Sequence, residues 1–189
     1  MITRRFNRRD FTVRCAAYLS GLGITGTALA FRAGAQGAPV SSGGEILRDY
    51  EAIHHEVSFK ARRQRVYELL TDATKFERVI QLSDAKNNGM PPNAPPATIS
   101  RDAGGTFSLF AGIISGRHIE LVLNERLVQA WRAVHWKAGI YSIARVQLSD
   151  EGSGTKLVLD HTGFPKGEAQ GLSDGWHKNY WKPMEQALA

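Results

Sequence analysis

The sequence predicts an α+β domain, in which helices cover one face of an antiparallel sheet. Six short segments alternate apolar and polar residues with a period of two, as half-buried strands do. Two helical patterns follow the first of these segments, and an aromatic helical pattern ends the chain. The predicted element order is therefore β-α-α-β-β-β-β-β-α.

The first predicted strand spans residues 52–59, where His54 and His55 point to opposite faces. Helical periodicity over 62–72 and 76–80 predicts a helix and a second short helix with apolar faces toward the sheet. Residues 86–97 contain four prolines and predict an extended surface loop near a cavity mouth.

Five further strands are predicted after this loop. Short turns with Gly, Asn and Asp separate them, which is typical of an antiparallel meander. The predicted strands span residues 106–111, 114–123, 127–134, 141–148 and 156–159.

The last element is predicted to be a helix that begins at Ser173 or Asp174. Four apolar residues spaced four apart share one of its faces, namely Trp176, Tyr180, Met184 and Leu188. Pro183 lacks a backbone N–H and is predicted to bend this helix. Gly163, Pro165 and Gly175 are predicted to turn the chain from the last strand onto the helix, and Gly175→Val is expected to crowd Trp176.

The first 35 residues have the features of an export signal. Arg8-Arg9 and Phe11 resemble the twin-arginine signature, and a glycine-diluted apolar stretch follows before Ala33-Gly34-Ala35. We therefore predict a cleaved signal peptide at 1–35, a flexible linker at 36–46 and one domain at 47–189. The twin-arginine translocase is the expected partner during export, with a periplasmic or secreted product and no stable membrane anchor after cleavage.

The net charge of +6 comes mostly from this leader. Six of the 24 basic residues and one of the 18 acidic residues precede Gln36, which leaves 18 and 17 in the remainder. A nearly neutral domain lacks the basic stripe that phosphate backbones require, so nucleic-acid binding is not expected. Cys15 is the only cysteine, and the histidines lack paired ligand spacing, so neither a metal nor a cofactor is predicted.

Aromatic residues are more abundant than a core of this size requires, and we interpret several of them as the lining of an apolar ligand cavity. The predicted lining residues are Phe76, Phe110, Trp131, Trp136, Trp176, Tyr180 and Met184. Candidate acid–base residues for a catalytic alternative are His161, His118 and Asp160. Hydrogen bonding at a sheet edge is the competing interpretation for each of these three.

Four segments resemble the START-like (SRPBCC) superfamily, in the branch named for the C-terminal domain of the activator of heat-shock protein 90 ATPase. They read VYELLTDATKF, GGTFSLFAGIISGRHIELVLNERLVQAWR, HTGFP and GWHKNYWKPMEQAL, and the similarity runs from about Glu51 to Leu188. The resemblance implies a helix-grip (Bet v-like) fold, in which a curved sheet wraps a long C-terminal helix and leaves an apolar cavity.

Three functions are compatible with this fold. The first is binding of a small hydrophobic or aromatic molecule in the cavity. The second is a polyketide cyclase- or hydratase-like enzyme that uses the same cavity, and the third is a protein-interaction domain without a ligand. Titratable groups that converge in the cavity favour catalysis, an apolar wall favours binding, and a cavity filled by aromatic side chains favours the interaction domain.

Overall fold

A seven-stranded antiparallel sheet organises residues 50–189, the part of the chain described by a computed structural model. Its order is β1-β7-β6-β5-β4-β3-β2, so the first strand pairs with the last one. The strands are β1 (Tyr50–Phe59), β2 (Thr98–Ile99), β3 (Thr106–Leu109), β4 (Ile114–Val122), β5 (Arg126–Ala133), β6 (Ser142–Glu151) and β7 (Gly154–Pro165). The predicted fold class, an α+β helix-grip fold, is confirmed.

The helices cover the inner face of the sheet. They are α1 (Arg63–Thr71), α2 (Ala73–Gln81), α3 (Asp84–Asn88), α4 (Ala169–Trp176) and α5 (Lys182–Leu188), with a π turn at His177–Trp181 joining the last two. The Asp72 side chain starts α2 by accepting a hydrogen bond from the Lys75 N–H at 3.0 Å. Alternate residues of β5 and β6 are buried beneath the helices, so the core lies between the two layers.

The closing helix begins at Ala169, four residues before the predicted Ser173. The Ala169 N–H donates to the Glu51 carboxylate at 3.1 Å, and Glu51 lies on the first strand. A cap that comes from 118 residues away leaves no local signal in the sequence. The Ser173 hydroxyl is instead engaged with His55 at 2.9 Å, so the prediction of a cap at Ser173 or Asp174 was wrong.

Two connections also differ from the prediction. The segment 86–97 is not wholly a loop, because α3 extends to Asn88 and starts at a Ser83 side chain that accepts from the Lys86 N–H at 3.2 Å. Strand β7 runs to Pro165 rather than ending at Leu159, because β1 is long enough to pair with it throughout. Gly163 permits this extension with a φ of +78°.

The predicted signal peptide (1–35) and linker (36–46) lie outside the described residues, and both stay predictions. Among residues 50–189, no helix has the length and apolar character needed to cross a membrane.

Candidate functional site

Two tryptophans of the closing helix face the sheet side by side. Trp176 and Trp181 are stacked with ring centroids 5.1 Å apart, although five residues separate them. Residues five apart do not align on an α-helix, but the π turn repeats at this spacing and is closed by the Lys182 N–H donating to the His177 carbonyl. The sequence predicts a bend caused by Pro183; the irregularity that the structure has is instead the π turn, which ends at Trp181, and Pro183 lies in the first turn of α5.

Trp176 is the start of a hydrogen-bonded chain through the core. Its indole N–H donates to His161 Nδ1 at 3.0 Å, and His161 Nε2 lies 2.7 Å from the Ser142 hydroxyl. Ser142 in turn donates to the Trp131 carbonyl at 3.1 Å. Since the indole is only a donor, His161 carries its proton on Nε2 and donates it to Ser142. This series of hydrogen bonds connects the closing helix with β7, β6 and β5.

Trp181 repeats this arrangement one turn later. Its indole N–H donates to His55 Nδ1 at 2.9 Å, and His55 Nε2 lies 2.9 Å from the Ser173 hydroxyl. The His55 ring also stacks on His177 at 4.5 Å. Neither Trp181 nor His55 is among the predicted site residues, because an α-helical register places Trp181 off the buried face. The spacing of five residues between Trp176 and Trp181, just before Pro183, is the sequence feature that could have predicted this arrangement.

The geometry of His161 does not suit a general base. Burial, together with the nearby His55, lowers the pKa of His161 to about 3, so the ring is neutral at physiological pH. Its one free lone pair, on Nδ1, is already occupied by the Trp176 N–H. The side chain is completely buried behind two tryptophans, which makes His161 a structural connector of helix and sheet.

A cavity of about 280 Å³ lies between the closing helix and the sheet. Four of the seven predicted lining residues face it: Phe110, Trp131, Trp176 and Tyr180. The other three, Phe76, Trp136 and Met184, are buried in the packed core instead. Whether the four lining residues contact a ligand stays a prediction.

Two polar side chains of the cavity wall approach each other. The Trp131 Nε1 and the Tyr180 hydroxyl are both buried, and neither makes a hydrogen bond of standard geometry within residues 50–189. Burial raises the pKa of Tyr180, and a weaker hydrogen-bonding interaction with the Trp131 indole N–H opposes part of this rise, so the phenol stays protonated. The two groups therefore interact with each other, and neither polar atom is accessible from the cavity.

A strained turn places the Phe110 ring in the wall. Phe110 and Ala111 have φ values of +50° and +58°, in the left-handed region that non-glycine residues rarely occupy. The Phe110 ring packs edge-on against Tyr180 at 5.3 Å and against Phe76 at 5.7 Å. Such strain persists only where the surrounding packing fixes it, so this end of the wall is rigid.

Two titratable side chains lie at the mouth of the cavity. His135 follows β5 and Glu168 precedes α4, and His135 Nε2 is 3.2 Å from the Glu168 carboxylate. Both are partly exposed, with 59% and 32% of the side-chain surface accessible. They therefore form a solvent-exposed hydrogen-bonded pair rather than a buried acid–base pair.

The catalytic candidates do not converge. His118 is completely buried beside Phe107 and does not line the cavity, and burial lowers its pKa. Asp160 lies on the outer face of the sheet, opposite the cavity, where it pairs with His54 and Arg145 at 2.8 and 2.7 Å. These two hydrogen bonds hold the pKa of Asp160 below its usual value. Only His161 approaches the cavity, behind Trp131 and Trp176.

Within the described part of the chain, no group of three or more His, Cys, Asp and Glu side chains is arranged to hold a metal ion. The polar side chains that line the cavity carry indole, phenol, imidazole, carboxylate and amide groups.

The fold and the gripped helix define a START-like domain, and comparison with known proteins identifies the branch. A family model described as "Activator of Hsp90 ATPase homolog 1-like protein" matches residues 60–189. The chain belongs to this family.

Individual relatives agree with this assignment. The human "Activator of 90 kDa heat shock protein ATPase homolog 1" is 30% identical over 93 residues, which cover 49% of this chain and 28% of the human protein. The match thus spans little more than a quarter of that curated relative.

Solved structures share the fold. An HSP90 activator from Plasmodium falciparum has a TM-score of 0.61 and 25% identity, over 74% of this chain and 96% of that one. CalU16 from Micromonospora echinospora has a TM-score of 0.58 and 20% identity, over 74% of this chain and 77% of its own.

Proposed function

We propose that this protein is exported and binds a small hydrophobic or aromatic molecule between its sheet and its closing helix. The observation that carries the proposal is the aromatic cavity of about 280 Å³, which the side chains around it do not fill. Concave, mostly apolar cavities with a few polar groups are the usual form of small-molecule sites. A cavity filled completely by aromatic side chains would instead favour the interaction domain.

The catalytic alternative has less support from the geometry. Of its three candidate residues, only His161 is near the cavity, and both of its ring nitrogens are engaged. An enzyme of the polyketide cyclase or hydratase kind would have to use His135 and Glu168, the titratable pair at the mouth. Glu168→Gln tests this role: it is expected to leave ligand binding intact, and loss of a turnover that the unchanged protein shows would favour the enzyme.

The names of the relatives also suggest an action on the 90 kDa heat shock protein. We do not extend that activity to this chain, because the similarity to the human relative covers 28% of its length. The predicted export signal also favours a role away from cytosolic chaperones.

Gly175 offers a direct test of the cavity. It lies inside α4 and lines the cavity, and no described atom lies within 4 Å of a Cβ built on it. Gly175→Leu is therefore expected to fill the space without a backbone clash, while Gly175→Ala fills little of it. Both changes favour the helix, so neither is expected to reduce stability.

The experiment titrates an environment-sensitive hydrophobic dye into the unchanged protein and both variants. Dye affinity is expected to fall strongly in Gly175→Leu and little in Gly175→Ala. Equal dye binding by all three proteins would overturn the proposal. Native mass spectrometry of protein purified from its own host then searches for a molecule that co-purifies with the unchanged protein and is lost from Gly175→Leu.

Export is tested separately. Replacing Arg8 and Arg9 together with lysine is expected to leave the precursor inside the cell, because the twin-arginine pair is the predicted recognition element. Arg4 and Arg5 form a second pair, so a matched variant replaces those two instead and is expected to be exported normally. Normal export of the Arg8/Arg9 variant would contradict this route.

A further inference from the structure

A shallow groove crosses the outer face of the sheet, the face that the helices leave uncovered. It has a volume of about 500 Å³ and lies over β2, β3, β4 and β5. The residues that line this outer-face groove include Thr98, Ser108, Ser115, Arg117 and Tyr141. The outer face of an antiparallel sheet usually meets only water, so a concave surface there needs a specific cause.

The cause is the distribution of side-chain size. Ser108, Ser115 and Ala130 are small and form the floor of the groove, whereas Arg117 and Tyr141 have long side chains and stand at its rim. Ser108 lies directly opposite Ser115, and Arg117 lies directly opposite Ala130, so the members of each pair share one face of the sheet. Concave surfaces with a few polar groups are the usual form of binding sites.

The register aligns hydroxyl groups in one row across the groove. Thr98 lies opposite Ser108, which in turn lies opposite Ser115. The row ends at Arg132, the partner of Ser115 on β5. Neighbouring strands are about 4.8 Å apart, so the row extends about 15 Å across four strands. Because a hydroxyl group both donates and accepts hydrogen bonds, the row matches a partner that repeats donors and acceptors along its length, as a chain of sugar rings does.

The groove also carries positive charge that no acidic side chain offsets. Arg117 donates to the Gly104 carbonyl, and Arg132 donates to the Trp136 carbonyl at 2.9 Å. These contacts orient the two guanidinium groups and leave their charge uncompensated. Among residues 50–189, no Asp or Glu lines the groove.

The other arginines of this face show the contrast. Arg145 pairs with Asp160 at 2.7 Å, and Arg126 pairs with Glu120 through two hydrogen bonds. Positive charge is therefore neutralised on the rest of the outer face and retained at the groove. The planar fork of a guanidinium group fits a carboxylate in particular, so the groove favours a partner that carries carboxylates.

Tyr141 supplies an aromatic surface at one end of the groove. Its side chain is 51% exposed, and the Arg132 guanidinium lies 5.8 Å from the centre of its ring. This cation–π contact holds the ring from one side and leaves the other side open. An exposed aromatic face packs well against the flat C–H face of a sugar ring.

We infer that the outer-face groove binds an acidic oligosaccharide. One sugar ring packs on Tyr141, the hydroxyl groups of Thr98, Ser108 and Ser115 pair with sugar hydroxyls, and Arg117 binds a carboxylate. This site goes beyond the proposed function, because the groove and the aromatic cavity lie on opposite faces of the sheet. The two sites are expected to bind independently.

The test uses tetragalacturonate, a linear tetramer of an acidic sugar, and its neutral methyl ester as a probe of the same shape. Isothermal titration calorimetry measures the affinity of the purified protein for both, and the acid is expected to bind more tightly. Arg117→Gln is expected to lower the affinity for the acid about 10-fold and to affect the ester little, because only the acid offers a carboxylate. Tyr141→Ala is expected to weaken both probes about 3- to 10-fold, because packing on the ring does not depend on charge.

Matched controls have the same side chains outside the groove. Arg126→Gln removes an arginine of the same face that is paired with Glu120 and does not line the groove. Tyr50→Ala removes a tyrosine that is 44% exposed, on the edge strand β1. Neither control is expected to change the affinity for either probe, and thermal melts verify that all four variants fold.

Three results would overturn the inference. The first is equal affinity of the unchanged protein for acid and ester, or no binding of either. The second is an equal loss of affinity in Arg117→Gln and Arg126→Gln, which would mean diffuse attraction between charges. The third is co-sedimentation with phosphatidylglycerol vesicles that Arg117→Gln abolishes, without binding of tetragalacturonate, which would identify a lipid surface as the partner.

Discussion

The four tryptophans of the domain divide into two pairs that differ in one respect. Trp176 and Trp181, on the closing helix, each donate an indole hydrogen bond to a buried histidine. Trp131 and Trp136, on the sheet side, are equally buried, but neither indole N–H makes a hydrogen bond of standard geometry in the described structure, and that of Trp131 only approaches the Tyr180 hydroxyl. Similar burial therefore serves different purposes, since the helix pair attaches the helix to the sheet by hydrogen bonds and the sheet pair contributes mainly by packing.

The largest expected effect is the loss of stability when a tryptophan of the closing helix is truncated. Trp176→Ala is expected to lower the free energy of unfolding by about 3–5 kcal/mol, because Trp176 is 4% exposed and its loss opens a cavity in the core. Trp131→Ala is expected to cost less, because one side of that ring already adjoins empty space. Urea melts measure both. Equal losses would remove the distinction between the two pairs.

The next effect concerns pH and the histidines that the helix tryptophans contact. His161 has a pKa of about 3 in the folded protein and about 6.5 when unfolded, so the unfolded state binds more protons between these values. The free energy of unfolding is therefore expected to decrease as the pH falls below 6.5, by up to about 1.4 kcal/mol per pH unit for this group. His55 and His118, whose pKa values burial also lowers, act in the same direction.

Chemical denaturation from pH 7.5 to 4.5 measures this slope. His161→Gln is expected to flatten it. His54 provides the control, because its hydrogen bond with Asp160 raises its pKa and gives it the opposite sign, with stability lost as the pH rises. His54→Gln should therefore leave the acid slope as steep or make it steeper. An unchanged slope in His161→Gln would show that this ring accepts a proton without disrupting the core.

A smaller effect distinguishes the contribution of the indole hydrogen bond from that of the packed aromatic ring. Trp176→Phe leaves the buried Nδ1 of His161 without its donor, whereas Trp131→Phe removes an N–H that makes only a weak contact with the Tyr180 hydroxyl. The first is expected to cost about 1–3 kcal/mol more than the second, since stranding a buried acceptor carries the full desolvation penalty. Thermal or urea melts of the two variants give the difference directly. A difference near zero would mean that the Trp176 hydrogen bond contributes little.

The smallest expected effect concerns the helix propensity of Gly175 in α4, next to Trp176. Gly175→Ala is expected to raise the free energy of unfolding by about 0.5–1 kcal/mol, because glycine is a poor helix former and the added methyl group meets open space. This reverses the expectation from sequence that a side chain at Gly175 crowds Trp176. A lower melting temperature for Gly175→Ala would restore the original interpretation and argue against a cavity beside this residue.

Much of the architecture followed from local patterns. Period-two alternation located six of the seven strands, all except the two-residue β2, and it assigned His54 and His55 to opposite faces, as their burial shows. Helical spacing placed Trp176, Tyr180, Met184 and Leu188 on one face, and all four are buried. These features are determined by the sequence alone, because alternation and helical periodicity arise from backbone geometry that is the same wherever the segment lies.

The tertiary structure decided which of the buried groups pair with each other. Glu51 sets the start of the closing helix from the far end of the domain, and the π turn brings Trp181 to His55 across 126 residues. Phe76, Trp136 and Met184 pack in the core while Phe110, Trp131 and Tyr180 line the cavity, although all six have similar apolar character. Sequence patterns report which face of an element is apolar, but a cavity exists only where two such faces fail to fill the space between them, and that depends on how the whole chain packs.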